Sequence, residues 1–471
     1  MNHDLNPHRT LGIRRSRRAF LARSGMGFAS VALGGLASAS PELRHAPPFA
    51  PRAKRVIHLF MNGGPSHIDS FDPKPALARW HGKMLPNRNL RTENETGAAF
   101  ASPFEFKRYG QSGLPISSMF PEVAKHADDL CVVRSMVSDE PFHDQAILMM
   151  HCGDNRLVRP SMGAWLTYGL GHDNENLPGF VAMSPGPYPG PGRSNWRSAF
   201  LPNLYQGTYI GTRDTRVEKL VENIKSQNLI REEQERQLAF VRSQNRRHLK
   251  DRPGDPVLEA RIAIHEQAFR MQFAATDVLD LSHEPESVRQ LYGDTVHGRQ
   301  LLLTRRLAER GVRFLQVWYG YQNDWDSHSN IEKNHGELAA KIDRPIAALL
   351  TDLKQRGLLD ETLVIWGGEF GRTPTVELPS NGVSGQKLGR DHNPYGFSMW
   401  MAGGGVRGGM VYGSTDEFGF VAEENPVHIH DLHATILYLM GLDHERLTYR
   451  YAGRDFRLTD VHGHVVKGIL G

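Results

Sequence analysis

Four short segments of the chain place carboxylates beside imidazoles. They read Ser66-His67-Ile68-Asp69, Asp324-Trp325-Asp326-Ser327-His328, Gly368-Glu369-Phe370-Gly371-Arg372 and Arg390-Asp391-His392-Asn393. Carboxylate oxygens are hard donors and imidazole nitrogens borderline ones, a mixture that suits Zn, Mn or Fe better than Ca alone. One or two divalent ions are therefore expected. Asp326, His328 and His392 are expected to share one ion, with Asp324 as the alternative carboxylate. Asp69, Glu369 and Asp391 are expected to hold or orient a second. A divalent ion lowers the pKa of bound water from about 15.7 to about 7, and a pair roughly 3.5–4 Å apart clamps an ester. Arg372 and Arg390 lie beside these acids. Their planar forks fit either a sulfate or phosphate oxygen pair or a neighbouring carboxylate. The plainer alternative for the whole set is a structural salt-bridge network. Four separate loops carrying such residues favour ligation.

Parallel strands must position these segments. Val56-Ile57-His58-Leu59-Phe60-Met61 is a continuous apolar run, the pattern of a strand buried on both faces, and it ends in the turn Asn62-Gly63-Gly64-Pro65. Further strands are predicted over 130–134, 179–183, 312–318, 362–366 and 397–401. Helices are predicted over 146–151, 162–170, 336–356 and 431–440. Each acid–histidine segment follows or borders one of the strands, and loops at the carboxyl ends of strands are where α/β folds build sites. Between about 213 and 310 charged helical patterns take over, then the strand pattern resumes. That order argues one α/β domain with a mainly parallel sheet and a helical insertion.

The first 39 residues read as a leader. Arg17-Arg18 begins a twin-arginine pattern, Gly25 to Leu36 is mildly apolar, and Ala37-Ser38-Ala39 is a small-x-small cleavage site. Residues 40–55 follow as a linker. The leader holds six Arg and one Asp, a balance of +5 against +4 for the whole chain, so the remainder is close to −1. The basic balance is thus no argument for nucleic-acid binding. The expected partner is the twin-arginine export machinery, and the expected location is periplasmic or extracellular. No second long apolar run exists, so no transmembrane segment is expected in the mature chain. About 430 mature residues exceed the roughly 250–300 of a single core, consistent with a domain carrying an insertion. Cys131 and Cys152 are too few for a disulfide scaffold and read as two buried thiols.

Several motifs together resemble one family. They are Gly63-Gly64-Pro65-Ser66-His67-Ile68-Asp69-Ser70-Phe71-Asp72-Pro73-Lys74-Pro75, Trp325-Asp326-Ser327-His328, Gly368-Glu369-Phe370-Gly371-Arg372-Thr373-Pro374, Gly389-Arg390-Asp391-His392-Asn393-Pro394 and Asp431-Leu432-His433-Ala434-Thr435. The chain resembles an exported, sulfatase-like domain-of-unknown-function family, number 1501, in the alkaline-phosphatase-like superfamily. The resemblance implies a three-layer alkaline-phosphatase-like fold from about residue 56 to 471. It also implies a superfamily plan of two divalent ions and a Ser, Thr or modified Cys nucleophile at a helix start. On that plan Asp324 and His328 form an Asp-x-x-x-His unit with Asp326 as a rival donor, His392 is the later His, and Asp69, then Asp72, is the early Asp. The chain departs from it twice. Phe370 stands where the plan has an imidazole, and Ser138-Asp139-Glu140-Pro141-Phe142-His143 offers no Cys-x-Pro-x-Arg unit. His143 is kept as a catalytic candidate with Arg372 and Arg390, though it is no obvious nucleophile.

Other residues invite plainer readings. His428, His430 and His433 are dense but sit at a predicted helix start. Ser161 is expected to open a helix. Trp318, Tyr319, Tyr321 and Trp325 read as packing before they read as a sugar-binding cleft. His58 reads as a satisfied core residue. Two functions stay open: a metal-dependent hydrolase of a small-molecule or polysaccharide phosphate or sulfate ester, and a non-catalytic binding or scaffold protein on the same fold.

Overall fold

The computed structural model describes residues 48–471 except 87–89, 222–229, 254, 321 and 379–387. The leader and residues 40–47 of the linker lie outside the described residues, as does Tyr321.

Nine strands form the central sheet. In chain order they are β1 (Arg55–Phe60), β2 (Leu130–Val137), β3 (Phe180–Ser184), β4 (Thr208–Gly211), β5 (Phe314–Trp318), β6 (Thr362–Gly367), β7 (Phe397–Ala402), β8 (Met410–Tyr412) and β9 (Val427–His428). Their spatial order is β8-β2-β7-β6-β1-β5-β3-β4, with β9 also on β2. β7 runs against both β6 and β2, and the other pairings are parallel. The central register places Val56 beside Phe314 and Leu363.

The period-2 alternation of each strand divides its side chains between two apolar layers. Ile57 and Leu59 join Leu315, Val317 and Val364 on one face. Val56 and Phe60 join Phe314, Trp318 and Ile365 on the other. Because both faces are covered, the strands read as unbroken apolar runs. The second face is covered by α1 (His143–Cys152), α2 (Met162–Leu170) and α5 (Ile429–Leu439), the first by α3 (Val296–Glu309) and α4 (Ile331–Gln355). Fully burying one such aliphatic or aromatic side chain is worth about 1.5–3 kcal/mol, so the layers dominate stability.

The expected insertion of 213–310 is trimmed by this arrangement. Helices Arg231–Lys250 and Pro256–Leu279 lie in it, whereas α3 belongs to the layer under the sheet, which the end of Pro256–Leu279 joins through Ala275, Val278 and Leu279. Gln300 on α3 donates to the Trp318 carbonyl at 3.1 Å, and Arg305 pairs with Asp352 of α4 at 2.9 Å. Ser161 caps the start of α2 by position, and Asp431 sits in the first turn of α5, accepting from the His428 N–H at 3.0 Å. Trp318, Tyr319 and Trp325 are buried packing residues. Both cysteines are free and buried, and burial pushes each thiol up to about 12. His58 is buried as expected, but neither ring nitrogen finds a partner among the described residues. Among the described residues no helix is long and apolar enough to cross a membrane.

Candidate metal centre

Loops leaving β1, β2, β5 and β6 meet at one edge of the sheet, and the segment entering the antiparallel β7 joins them there. Asp326 is the hub. Its carboxylate faces His328 Nε2 at 2.8 Å, His392 Nε2 at 3.1 Å and His143 Nε2 at 3.2 Å. Arg372 Nη2 donates to it at 2.7 Å. Burial alone would raise the Asp326 pKa, but Arg372 and the three imidazoles outweigh it and hold the carboxyl far below its usual range.

Each imidazole has a second acceptor on its other nitrogen. His143 Nδ1 meets Glu369 Oε1 at 2.6 Å, and His328 Nδ1 meets Glu377. His392 Nδ1 meets the Pro141 carbonyl at 2.6 Å and Glu93 Oε2 at 2.7 Å. An imidazole with an acceptor on Nδ1 and a carboxylate near Nε2 has two solutions. It carries both protons, or it keeps Nδ1–H and gives the Nε2 lone pair to a cation. For His143 and His328 the first holds without a cation: burial would lower the pKa, yet the flanking carboxylates raise both to about 9. With a cation, the Nδ1–carboxylate bonds become the outer support typical of metal-ligating histidines.

Three sets of ligand atoms lie within 4.8 Å of one another: His143, Asp326 and His392; Glu93, His328 and His392; and His328, Glu377 and Asp391. The first combines two imidazoles with a carboxylate, a donor set that fits a borderline divalent ion.

The glycine turn after β1 explains why these loops close together. Gly63 has φ +112° and Gly64 φ +72°, and a Cβ on Gly64 would come within 2.6 Å of the Phe370 ring. Gly63 N–H donates to Glu369 at 2.9 Å, and the Gly64 carbonyl accepts from Arg372 Nε at 2.8 Å. Trp325 N–H donates to the Asn62 carbonyl at 3.1 Å, tying the β5 loop to the same turn. The Phe370 ring packs 4.5 Å from His392 and 5.0 Å from His143, an apolar wall to the cluster.

Asp326 lies within 3.1 Å of both His328 and His392, but no one ligand set holds all three; the set with Asp326 and His392 takes His143, expected only as a catalytic candidate. Other expectations are corrected. Asp69 is fully buried and held by Arg390 at 2.8 and 3.1 Å and by Ser66 Oγ at 2.6 Å, so its oxygens face donors and it joins none of the three ligand sets. Desolvation would raise its pKa, but the guanidinium outweighs burial and lowers it. Asp72 is likewise engaged, by Thr415, Lys74 and Arg134. Asp324 is exposed and outside the ligand sets. Glu369 supports His143 and Gly63 and joins no set. Asp391 joins one, while its oxygens accept from the Asn94 and His392 amides, both at 2.7 Å. Arg372 and Arg390 are fully buried and spend their donors on Asp326, Asp69 and the carbonyls of Gly63, Gly64, Thr373 and Arg390. Neither presents a free fork to an ester; both brace the loops. Glu93 and Glu377 escaped sequence reasoning, because neither lies in an acid–histidine pair.

The family model described as "Protein of unknown function (DUF1501)" matches residues 53–470. The chain belongs to this family. None of the curated proteins matches it in sequence. Among solved structures, the chain is similar to the lipoteichoic acid synthase LtaP from Listeria monocytogenes, at 10% identity and TM-score 0.35, covering 90% of this chain and 78% of that one. It is similar to the PsFucS1 sulfatase from Pseudoalteromonas sp., at 13% identity and TM-score 0.35, covering 83% and 68%. It is also similar to a mutant of TAB5 alkaline phosphatase with Mg bound, at 10% identity and TM-score 0.35, covering 83% and 99%.

Proposed function

We propose that the chain is an exported, metal-dependent hydrolase of phosphate or sulfate esters, carried on small molecules or polysaccharides. The observation that supports this reading is the convergence of three imidazole Nε2 atoms on one carboxylate, each ring held from behind by an acceptor. In this reading Asp326, His143 and His392 would hold a Zn, Mn or Fe ion, with His328 beside them on the same carboxylate. Glu369, Glu377 and Glu93 fix the tautomers, and Arg372 orients Asp326. Phe370 keeps water off one side. An ion bound there would supply Lewis acidity and would lower the pKa of water toward neutrality. His143, not Ser, Thr or Cys, opens α1, so water is taken as the attacking group. The twin-arginine leader motivates delivery by that export machinery to the periplasm or beyond.

The test is metal analysis of protein purified through its export route, with assays on aryl phosphate and aryl sulfate. About one divalent ion per chain and hydrolysis abolished by chelation are expected. Absence of stoichiometric metal would remove the reading. The second reading, a binding or scaffold protein, draws on Phe370 and on the Arg390–Asp69 pair, which leaves no early Asp for a second ion. Bound metal without turnover of either ester class would select it.

A further inference from the structure

The segment 185–197, rich in Pro and Gly, leaves the carboxyl end of β3 at the same sheet edge as the metal centre. It runs along α1, the helix that His143 opens. A Cβ on Gly190 would lie 3.3 Å from Asp144 Oδ1 in the first turn, and Cys152 Sγ in the last turn reaches the Ser194 carbonyl at 3.5 Å. The segment is braced from within. Asn195, fully buried, donates Nδ2 to the carbonyls of Gly192 at 3.1 Å and Gly190 at 3.3 Å.

Arg193 sits in this braced loop. Its guanidinium lies over the Tyr188 ring, 4.6 Å from the centroid, and one N–H meets the Tyr188 hydroxyl. Tyr188 packs in turn on Tyr209 at 4.7 Å and Trp196 at 5.7 Å. An aromatic floor thus holds the guanidinium in place. Arg193 has no carboxylate partner among the described residues, whereas Arg159 pairs with Asp154 at 2.7 Å and Arg216 with Asp214 at 2.9 Å. A guanidinium carries five N–H donors, and a ring stacked on its face leaves the in-plane edge open to a planar pair of oxyanion oxygens.

We infer that Arg193, set on Tyr188, binds a second sulfate or phosphate group of the substrate. The substrate class is then a polyanion with at least two such groups, one at the metal centre and one here. The inference rests on the ester-hydrolase reading for the word substrate, but binding at Arg193 does not need turnover.

The test is calorimetric titration of the native protein with a sulfated tetrasaccharide, its unsulfated counterpart and inorganic sulfate. The sulfated sugar should bind, more weakly as salt rises, and the unsulfated one should not. Arg193→Gln should weaken binding by about tenfold or more, the scale of one lost charge-assisted contact. Arg193→Lys should fall between, since it keeps the charge and loses the fork. Thermal melting checks that the variants are folded, and Tyr188→Leu gives an independent route to the same loss. Repeating wild type and Arg193→Gln after chelation separates the two ideas: the Arg193 effect should persist without metal even if hydrolysis is never found. Equal binding by wild type and Arg193→Gln overturns the inference. So does inorganic sulfate binding as tightly as the tetrasaccharide, which would mark a free-anion site.

Discussion

Two groups of histidines in this molecule carry the same side chain and behave in opposite ways. At the sheet edge His143 and His328 are pushed up to about 9, because carboxylates outweigh burial. Inside the layer between sheet and helices, burial alone lowers His58 to about 3. His151 lies 5.5 Å from it, ring to ring, and is also lowered by burial and by His58 and His433. His433 falls to about 4, with burial outweighing its contact to the Met150 carbonyl at 2.8 Å. What separates the groups is the number of acceptors. The edge imidazoles each have the Asp326 carboxylate within 3.2 Å of Nε2 and an acceptor on Nδ1, while His58 has no partner and His433 one carbonyl among the described residues. Density of histidine in a sequence therefore says little about ligation, and the acceptors behind each ring say more.

Breaking the edge group should give the largest effect. His143→Ala and His392→Ala should lose essentially all stoichiometric metal, whereas His58→Phe should retain it. Metal analysis of the three variants side by side reads the contrast directly. Equal metal content in all three would dissolve the distinction.

The acid limb of stability comes next and belongs to the interior group. These folded-state pKa values lie below the unfolded value of about 6.5, so the unfolded chain takes up protons first. Stability is present above about 6.5 and falls as pH drops toward the folded values near 3 to 4. At pH 5 each such group costs about 2 kcal/mol, a sizeable part of a typical 5–15 kcal/mol. Urea midpoints should drop steeply from pH 6.5 to 5, and less steeply in His58→Phe. The edge group has the opposite sign. In chelated protein its contribution is full below about 6.5 and is lost as pH rises through about 9. Chelated protein should therefore be most stable near pH 6.5, and added metal should flatten the alkaline side.

Asp69→Ala should cost about 3–5 kcal/mol, because it strands the buried Arg390 guanidinium. Its bound metal should stay near the wild-type level, since Asp69 joins none of the ligand sets. Urea unfolding together with metal analysis measures both. Metal loss at wild-type stability would return Asp69 to the centre.

That pair marks where the sequence stops being legible. Strands β1, β2, β3, β5, β6 and β7 announce themselves as apolar runs, because both their faces are covered. The short β4, β8 and β9 do not: Thr208–Gly211 and Met410–Tyr412 are largely half-buried, and β9 is two residues long. Asp326, His328 and His392 are readable because they follow or precede long strands. Asp69 looks equally good in sequence. Only packing shows that Arg390 is folded onto it, with its guanidinium 4.4 Å over the Phe100 ring. Glu93 and Glu377 act from behind the imidazoles, a role that needs three-dimensional proximity and leaves no local pattern.

The smallest expected effect concerns Phe370, which stands between the two groups in character: an apolar ring among edge imidazoles. Replacing it with His adds one more imidazole to the edge cluster, beside His143 and His392. A second ion would still lack its early carboxylate, because the Asp69 oxygens are taken by Arg390 and Ser66. Phe370→His should therefore keep about one ion per chain. It should lose about 1–3 kcal/mol, the cost of a buried polar group without a full set of partners. The ring is fully buried and sits against Gly64, so no solvent is available to relieve it. Metal analysis and urea unfolding of the variant give both numbers. A second tightly held ion in Phe370→His would show that the missing imidazole, and not the Arg390–Asp69 pair, is what limits this centre to one.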